Sequence, residues 1–224
     1  GKNLIKITLK HLTPEWKLIR NMIDIAWPAT IQFLIGSGSW IVLASLVVHT
    51  GHSDASAGYQ IAIRIVIFFI LPAWGMSNAV ATLVGQNLGA KLPERAEESV
   101  KITARYNAVF MAIVTVVFIF FTYPLVAIFI PPAHVEQIKY AVLSLQIISS
   151  GYIFYGIGMV ITQAFNGAGD TRTPTWVYFF GFWVFQVPFA YVLHKYTAMG
   201  ISGILVAVPV AETLMSITVF ILFR

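Results

Sequence analysis

The chain has 224 residues, of which 58% are hydrophobic and only 10% are charged, and its formal net charge is +5 at pH 7. A soluble domain carries about 25% charged residues. A chain this poor in charge cannot cover its own surface with polar groups, so we expect lipid to surround it. The net charge does not indicate a nucleic-acid partner, because the basic residues lie between apolar runs. The sequence contains no cysteine, which excludes disulfide and thiolate chemistry within it.

Residues 1–20 mix apolar side chains with lysines. The tripeptide Thr13-Pro14-Glu15 is typical of a helix start, with a capping residue followed by proline. We therefore predict a cytoplasmic interfacial lead-in over 1–20, with a short helix on the inner leaflet. The first residue is glycine rather than methionine, and no signal-peptide pattern follows it, so we expect the sequence to begin within a longer protein.

Six apolar runs follow, and Glu212 is the only charged residue inside them. The runs cover 25–48, 65–90, 106–130, 140–169, 173–193 and 196–223. A helix needs about 20 apolar residues to cross the hydrocarbon core, so we predict an all-α membrane protein with a six-helix transmembrane lobe over 21–224. The predicted helices are at about 22–49, 56–88, 100–130, 136–166, 173–195 and 199–223. Strands are not expected, because membrane barrels show segments of about 10 alternating residues.

The basic residues are distributed unequally between the two sides of this predicted topology. They concentrate before the first helix and in the loop after the second, and they are sparse in the loops on the opposite side. Because cytoplasmic loops carry an excess of Lys and Arg, we expect a multi-pass protein of the cell membrane with both ends of this segment in the cytoplasm.

Ionisable residues inside lipid are costly and therefore become functional candidates. Glu212 lies about midway along the last predicted helix, where a carboxyl group suits the binding and release of a coupling ion; the alternative is a hydrogen-bonded structural residue. Arg64 lies near the outer end of the second helix. It could face a central cavity, or its side chain could extend to the interface.

Uncharged polar and aromatic residues could line a cavity suited to amphipathic cations, because aromatic faces attract positive charge. The alternative for each polar residue is a hydrogen bond to a neighbouring helix. The predicted translocation pathway consists of Gln32, Trp40, Arg64, Asn78, Tyr155 and Gln163.

Signatures of enzymes are missing from the sequence, including HExxH, GxSxG and the P-loop. His49 and His52 with Asp54 could contact a metal at the outer face, but solvated loop residues are the simpler interpretation. We therefore predict no catalytic residues, no metal site and no cofactor beyond a coupling proton or sodium ion.

Two loop motifs resemble signatures of the MATE (multidrug and toxic compound extrusion) transporters. Residues 84–96 (VGQNLGAKLPERA) resemble the signature that follows an even-numbered helix in that family, and residues 166–174 (NGAGDTRTP) resemble its second cytoplasmic signature. The shorter segments 26–28 (AWP), 62–64 (AIR) and 72–75 (PAWG) also fit, so the resemblance extends from about residue 20 to the end.

The resemblance implies a twelve-helix fold of two six-helix lobes that are parallel repeats, of which this sequence has room for one. The residues of these motifs resemble those of the C-terminal lobe more than those of the N-terminal lobe. The resemblance therefore implies that the N-terminal lobe is the missing partner. The family exports organic cations in exchange for protons or sodium ions, which implies an antiporter working by alternating access, with a small-molecule cation and membrane lipid as partners.

This sequence departs from some branches of the family, which carry acidic residues in the first and fourth helices of this lobe. The matching stretches, 32–39 and 152–163, contain none. That pattern is more similar to the DNA-damage-inducible (DinF-like) branch, whose coupling acid lies in the N-terminal lobe, and it leaves Glu212 as the candidate here. The alternative function is a lipid-linked oligosaccharide flippase of the same superfamily, which would need a more cationic cavity; a membrane enzyme or a scaffold is less favoured.

Overall fold

The computed structural model describes residues 14–223, and every regular element within that range is a helix. Helical residues run without interruption from Trp16 to Gly89, and this stretch contains two spans, α1 and α2. The helices are α1 Trp16–Gly51, α2 Ser53–Gly89, α3 Pro93–Phe120, α4 Thr122–Ala127, α5 Val135–Ser149, α6 Tyr152–Gly167, α7 Arg172–Tyr196 and α8 Ile201–Phe223.

Five of these helices are long and apolar enough to cross a membrane, and the pair formed by α5 and α6 makes a sixth span if it is counted as one. The predicted all-α membrane fold is therefore confirmed. Of the predicted lead-in, residues 1–13 lie outside the described residues, and Trp16 to Arg20 form the first turn of α1.

The fourth predicted helix is not continuous, because α5 and α6 meet at a bend of 56°. The bend lies at Gly151, where α8 comes so close that a Cβ atom on Gly151 would be 2.8 Å from the Cβ of Pro209. The third predicted helix is also shifted. It begins at Pro93, because proline is favoured in the first turn of a helix, and it ends at Phe120 before the short helix α4.

Contacts at one end of the bundle bring together the start of α1, the end of α6 and the end of α8. The hydroxyl of Thr171 donates a hydrogen bond to the carbonyl of Ile25 at 3.0 Å, and the rings of Phe165 and Phe223 lie 5.9 Å apart. Pro28 has no N–H group to donate to the carbonyl of Asp24, and Thr171, which lies just before α7, donates to the adjacent carbonyl in the same turn.

Contacts at the opposite end join the junction of α1 and α2, at residues 51–53, to α5 and α7. The side-chain amide of Gln137 donates to a carboxylate oxygen of Asp54 at 2.9 Å. The hydroxyl of Thr50 lies 3.3 Å from Nε2 of His194. The spans therefore alternate in direction, and α1 runs parallel to α7 while α2 runs parallel to α5 and α6.

A buried amide ties α2, α3 and α6 together in the middle of the bundle. Asn107 is fully buried, and its side-chain nitrogen donates to Ser77 Oγ at 3.2 Å and to the carbonyl of Gly156 at 2.9 Å. A polar group in hydrocarbon without such partners is costly, so these bonds fix how the three helices pack.

Helices α2 and α5 approach closely at Gly58, which gives the first prediction. A Cβ atom there would lie 2.5 Å from the carbonyl oxygen of Gln137. We expect Gly58→Ala to push the helices apart and to lower the free energy of unfolding by about 1–3 kcal/mol, measured as a fall in melting temperature of the purified protein in detergent.

Gly75→Ala is the matched control, because it lies on the same helix and a Cβ atom there would meet nothing within 4 Å. Its stability should be unchanged or raised by about 0.5–1 kcal/mol, since alanine is the better helix former. Equal melting temperatures for the two variants would contradict the close packing of α2 and α5.

Candidate translocation site

The interior of the bundle contains a cavity centred on Glu212 of α8. This partly open cavity has about 210 Å³ of space between α6, α7 and α8. The cavity is lined by Tyr155, Gly158, Met159, Thr162, Tyr178, Glu212, Met215, Ser216 and Val219. Its walls combine one carboxyl group with several hydroxyl groups, so it offers hard oxygen atoms to a proton or a small cation.

A second cavity adjoins the first and is mostly apolar. It is also partly open, has about 290 Å³ of space and reaches toward α1 and α2. It is lined by Trp40, Val66, Ile70, Ile148, Gly151, Tyr152, Tyr155, Val208, Pro209 and Glu212. Because Glu212 and Tyr155 line both cavities, the two spaces are neighbouring parts of one site.

Two tight contacts between α6 and α8 hold the backbone around Glu212. Gly151 packs against Pro209, three residues before Glu212, and Gly158 leaves no room for a side chain against Ser216, four residues after it. The small residues of α6 therefore allow α8 to come close enough for Glu212 to lie within the bundle rather than against lipid.

The hydroxyl groups around Glu212 lack a full set of protein partners. The phenol of Tyr178 lies close to the side chains of Thr162 and Gln32. The hydroxyl of Tyr152 is buried and has no hydrogen-bond partner among residues 14–223. Within residues 14–223, no group of three or more His, Asp or Glu side chains could hold a metal ion.

The polar site is continued by a junction between α1 and α7. The hydroxyl of Ser39 donates to Oε1 of Gln186 at 2.8 Å, and both side chains are buried. The indole N–H of Trp183 donates to the carbonyl of Ile35 at 3.1 Å. The two α7 side chains in these bonds, Trp183 and Gln186, lie in the π-helical stretch Phe179–Gln186. This local geometry often occurs at functional sites.

The structure brings together four of the predicted site residues. Trp40, Tyr155 and Glu212 line the second cavity, and the buried Gln32 reaches the first through Tyr178. Gln163 does not line either cavity. It is half-buried and accepts a hydrogen bond from the side chain of Asn166 at 3.2 Å.

The remaining two predicted residues, Arg64 and Asn78, lie on the opposite side of α2 and belong to an exposed polar stripe. The polar stripe consists of Gln60, Arg64, Asn78, Thr82 and Gln86. At 3.6 residues per turn these side chains fall within about 80° of one another around the helix. Sequence reasoning did not find Thr162 and Tyr178. The heptad spacing of Tyr155 and Thr162 on one helical face was an available signal, whereas Tyr178 comes from another helix.

The exposed face of α3 differs from the polar stripe of α2, because its exposed side chains form an apolar row along the helix. That row consists of Ile102, Tyr106, Val109, Ile113, Val116 and Phe120. An apolar row suits lipid, whereas a polar stripe inside a bilayer faces protein or a water-filled cavity. We therefore expect the two exposed faces of the lobe to have different surroundings.

A polytopic helical bundle with an interior polar cavity and a second polar face is the architecture of a membrane transporter. The MatE family model matches residues 28–192, which is more than half of the chain, and the chain belongs to that family. The resemblance to the MATE family is thereby confirmed.

Curated relatives cover nearly the whole chain. The probable multidrug resistance protein YoeA of Bacillus subtilis (strain 168) is 25% identical over 206 residues, covering 92% of this chain and 44% of that protein. The probable multidrug resistance protein NorM of Thermotoga maritima is 26% identical over 210 residues, covering 94% of this chain and 44% of that protein.

Among solved structures, an outward-facing multidrug resistance MATE family transporter of the MOP superfamily matches with a TM-score of 0.92 at 21% identity. The match covers all of this chain and 49% of that one. The chain thus spans about half the length of the relatives it matches, and the likeness confirms the fold.

The bond between Ser39 and Gln186 gives the second prediction. Ser39→Ala would leave the buried Gln186 carbonyl without its donor, so we expect the free energy of unfolding to fall by about 1–3 kcal/mol. The measurement is the melting temperature of the complete transporter. Adding Gln186→Leu should recover part of the loss, because no buried acceptor is then left unpaired.

Ser37→Ala serves as the control, since Ser37 lies two residues earlier on α1 and is only half-buried. It should change stability by less than about 0.5 kcal/mol. The same melting temperature for both single variants would show that the α1–α7 hydrogen bond does not contribute to stability.

Proposed function

We propose that this chain is one lobe of a secondary active antiporter that exports amphipathic organic cations, including drugs, in exchange for protons or sodium ions. The observation that carries this proposal is Glu212, the one acidic side chain inside the six apolar runs of the sequence, which lies in a cavity lined by tyrosines. The multidrug resistance names of the relatives agree with this substrate class.

Glu212 would act as the coupling residue because its charge changes when an ion binds. An ionised carboxylate without a partner is costly inside the bundle, whereas a protonated or sodium-bound carboxyl group is neutral overall. Occupancy by the ion therefore changes the relative free energies of the inward-open and outward-open states, and so shifts the population between them. Alternating access follows if the drug and the ion favour opposite states.

The aromatic lining supports a cationic substrate. Trp40, Tyr152 and Tyr155 line the second cavity next to Glu212, and aromatic faces attract organic cations. In this proposal drug and coupling ion compete for the negative charge of Glu212, which is the simplest way to link export to ion entry.

We further propose that this chain is the C-terminal lobe and pairs with an N-terminal lobe of the same transporter as a parallel repeat. Half of each relative's length is unmatched, which leaves room for a second lobe. Acidic residues are missing from 32–39 and 152–163, which favours the DinF-like branch over the branches that carry acids there.

The distribution of charge supports a location in the cell membrane with both ends of the segment in the cytoplasm. Lys91, Arg95 and Arg172 lie at the end of the bundle that also contains the start of α1 and the end of α8. Positive residues favour the cytoplasmic side of a membrane.

The third prediction concerns Glu212. In proteoliposomes containing the complete transporter, Glu212→Gln should lower ion-driven drug export by about 5- to 150-fold, the range of typical coupling energies, because the amide cannot change its charge. Downhill exchange of drug without an ion gradient should persist. The readout is accumulation of a fluorescent cation with and without a proton or sodium gradient.

Glu136→Gln is the matched control, because Glu136 is exposed and only pairs with Lys139 at 3.6 Å. It should export drug as the native protein does. Unchanged ion-driven export by Glu212→Gln would remove Glu212 from the coupling mechanism.

The fourth prediction concerns orientation and uses the absence of cysteine from this sequence. Any cysteine in the other half is first replaced, and Lys91→Cys or Ala133→Cys is then introduced into loops at opposite ends of the bundle. In intact cells a membrane-impermeant maleimide should label the cysteine at 133 and not the one at 91, and both should react after permeabilisation. The reverse pattern would contradict cytoplasmic ends.

A further inference from the structure

Arg64 is an exposed cation within a membrane span, and the proposed coupling site does not use it. We propose that Arg64 determines substrate specificity by binding an anionic group, so that the preferred substrates are amphipathic molecules with a carboxylate as well as a cationic amine. This inference rests on the proposed export function and narrows its substrate class from organic cations to zwitterions.

The first argument is that Arg64 has no partner in the part of the chain that the structure describes. It makes no hydrogen bond or ion pair there, and the ion pairs found between residues 14 and 223 join Lys101 to Glu97 and Lys139 to Glu136. The acidic residue at the start of the same helix, Asp54, is already bonded to Gln137. The guanidinium therefore retains its full capacity to bind an anion.

The second argument is the position of Arg64 along α2. It lies eleven residues after Ser53, which at 1.5 Å per residue is about 16 Å along the helix. The polar stripe resumes at Asn78 and ends at Gln86, while Phe68, Leu71 and Gly75 occupy the same face between Arg64 and Asn78. An exposed guanidinium with exposed polar side chains on the same face of a span is costly against lipid, so we infer that this face lines a hydrated route or faces another part of the transporter.

The third argument is the separation of Arg64 from Glu212. The α2 residues that line the Glu212 cavity are Val66 and Ile70, and Val66 lies on the other side of the helix from Arg64. Arg64 is therefore not the counter-ion of Glu212. Its positive charge remains available to a substrate while Glu212 handles the coupling ion.

The neighbours of Arg64 define the rest of the ligand. Phe68 is one turn further along α2 with 71% of its surface exposed, and Leu71 follows with 51% exposed. A guanidinium next to exposed apolar side chains suits a carboxylate attached to an aromatic or aliphatic body. Arginine binds carboxylates through two parallel hydrogen bonds, which lysine cannot reproduce.

A lipid phosphate could bind the same guanidinium, so the experiment must distinguish the two sources of the anion. The probes are a cationic xanthene dye with a free carboxylate and the methyl ester of the same dye, which lacks only the negative charge. Export of each is measured in proteoliposomes of the complete transporter under the gradient that drives export. Arg64→Gln and Arg64→Lys are compared with the native protein and with Lys139→Gln, an exposed basic residue outside the polar stripe.

We expect the native transporter to have a lower KM for the carboxylate dye than for its ester. Arg64→Gln should raise the KM for the carboxylate dye by about tenfold, since a hydrogen-bonded charge pair is lost, and should leave the KM for the ester within about twofold. Arg64→Lys should give an intermediate value for the carboxylate dye. Lys139→Gln should resemble the native protein.

Equal effects of Arg64→Gln on the two dyes, or no effect on either, would overturn the inference; equal effects would indicate a role with lipid or in folding. If Arg64→Gln does not fold, the comparison of the two dyes on the native transporter decides, because equal KM values contradict an anion-binding residue. Failure to export either dye would overturn the proposed function itself, whereas export of both with equal KM would overturn only the role of Arg64.

Discussion

The structure depends on the lack of water inside the bilayer, since polar groups there must find partners within the protein. The side-chain nitrogen of Asn107 satisfies this requirement and joins α2, α3 and α6 through its bonds to Ser77 and Gly156, although its Oδ1 has no partner among the described residues. Ser39 and Gln186 do the same for α1 and α7, although 147 residues separate them in sequence. These bonds fix which helices are neighbours, and the apolar core fills the space between them.

The polar groups without partners are therefore informative, because each buried one costs about 1–3 kcal/mol. In the described residues this class consists of single atoms of Tyr59, Asn107, Tyr152, Thr162, Asn166 and His194. Only Tyr152 and Thr162 among them line the cavities that contain Glu212. An unpaired atom therefore does not by itself mark the site, and it is the carboxyl group of Glu212 that distinguishes these cavities.

The sequence predicted the spans well, because the charge-free runs follow directly from the cost of charge in lipid. It did not predict the bend between α5 and α6, since that bend comes from the contact of Gly151 with Pro209, which lies 58 residues away in the sequence. The site was predicted only in part, because some of its residues come together only through the packing of distant helices. Glu212 stands out in any apolar run, whereas the proximity of Tyr178 to Gln32 requires knowing which helices pack together.

The contacts of α8 also limit which helices can move around Glu212. Gly151 packs against Pro209 and Gly158 against Ser216, so α6 and α8 are held together within one turn on each side of the carboxyl group. Helix α7 is held against α8 just as closely, because a Cβ atom on Gly203 of α8 would lie 2.9 Å from the Cβ of Leu193, and Gly181 of α7 has no room for a side chain against Met215 of α8. Gln32 of α1 reaches the site through Tyr178 of α7, so the helices around Glu212 are tightly packed in this state. For the coupling proposed here, ion binding at Glu212 would have to favour one packing of these helices over another.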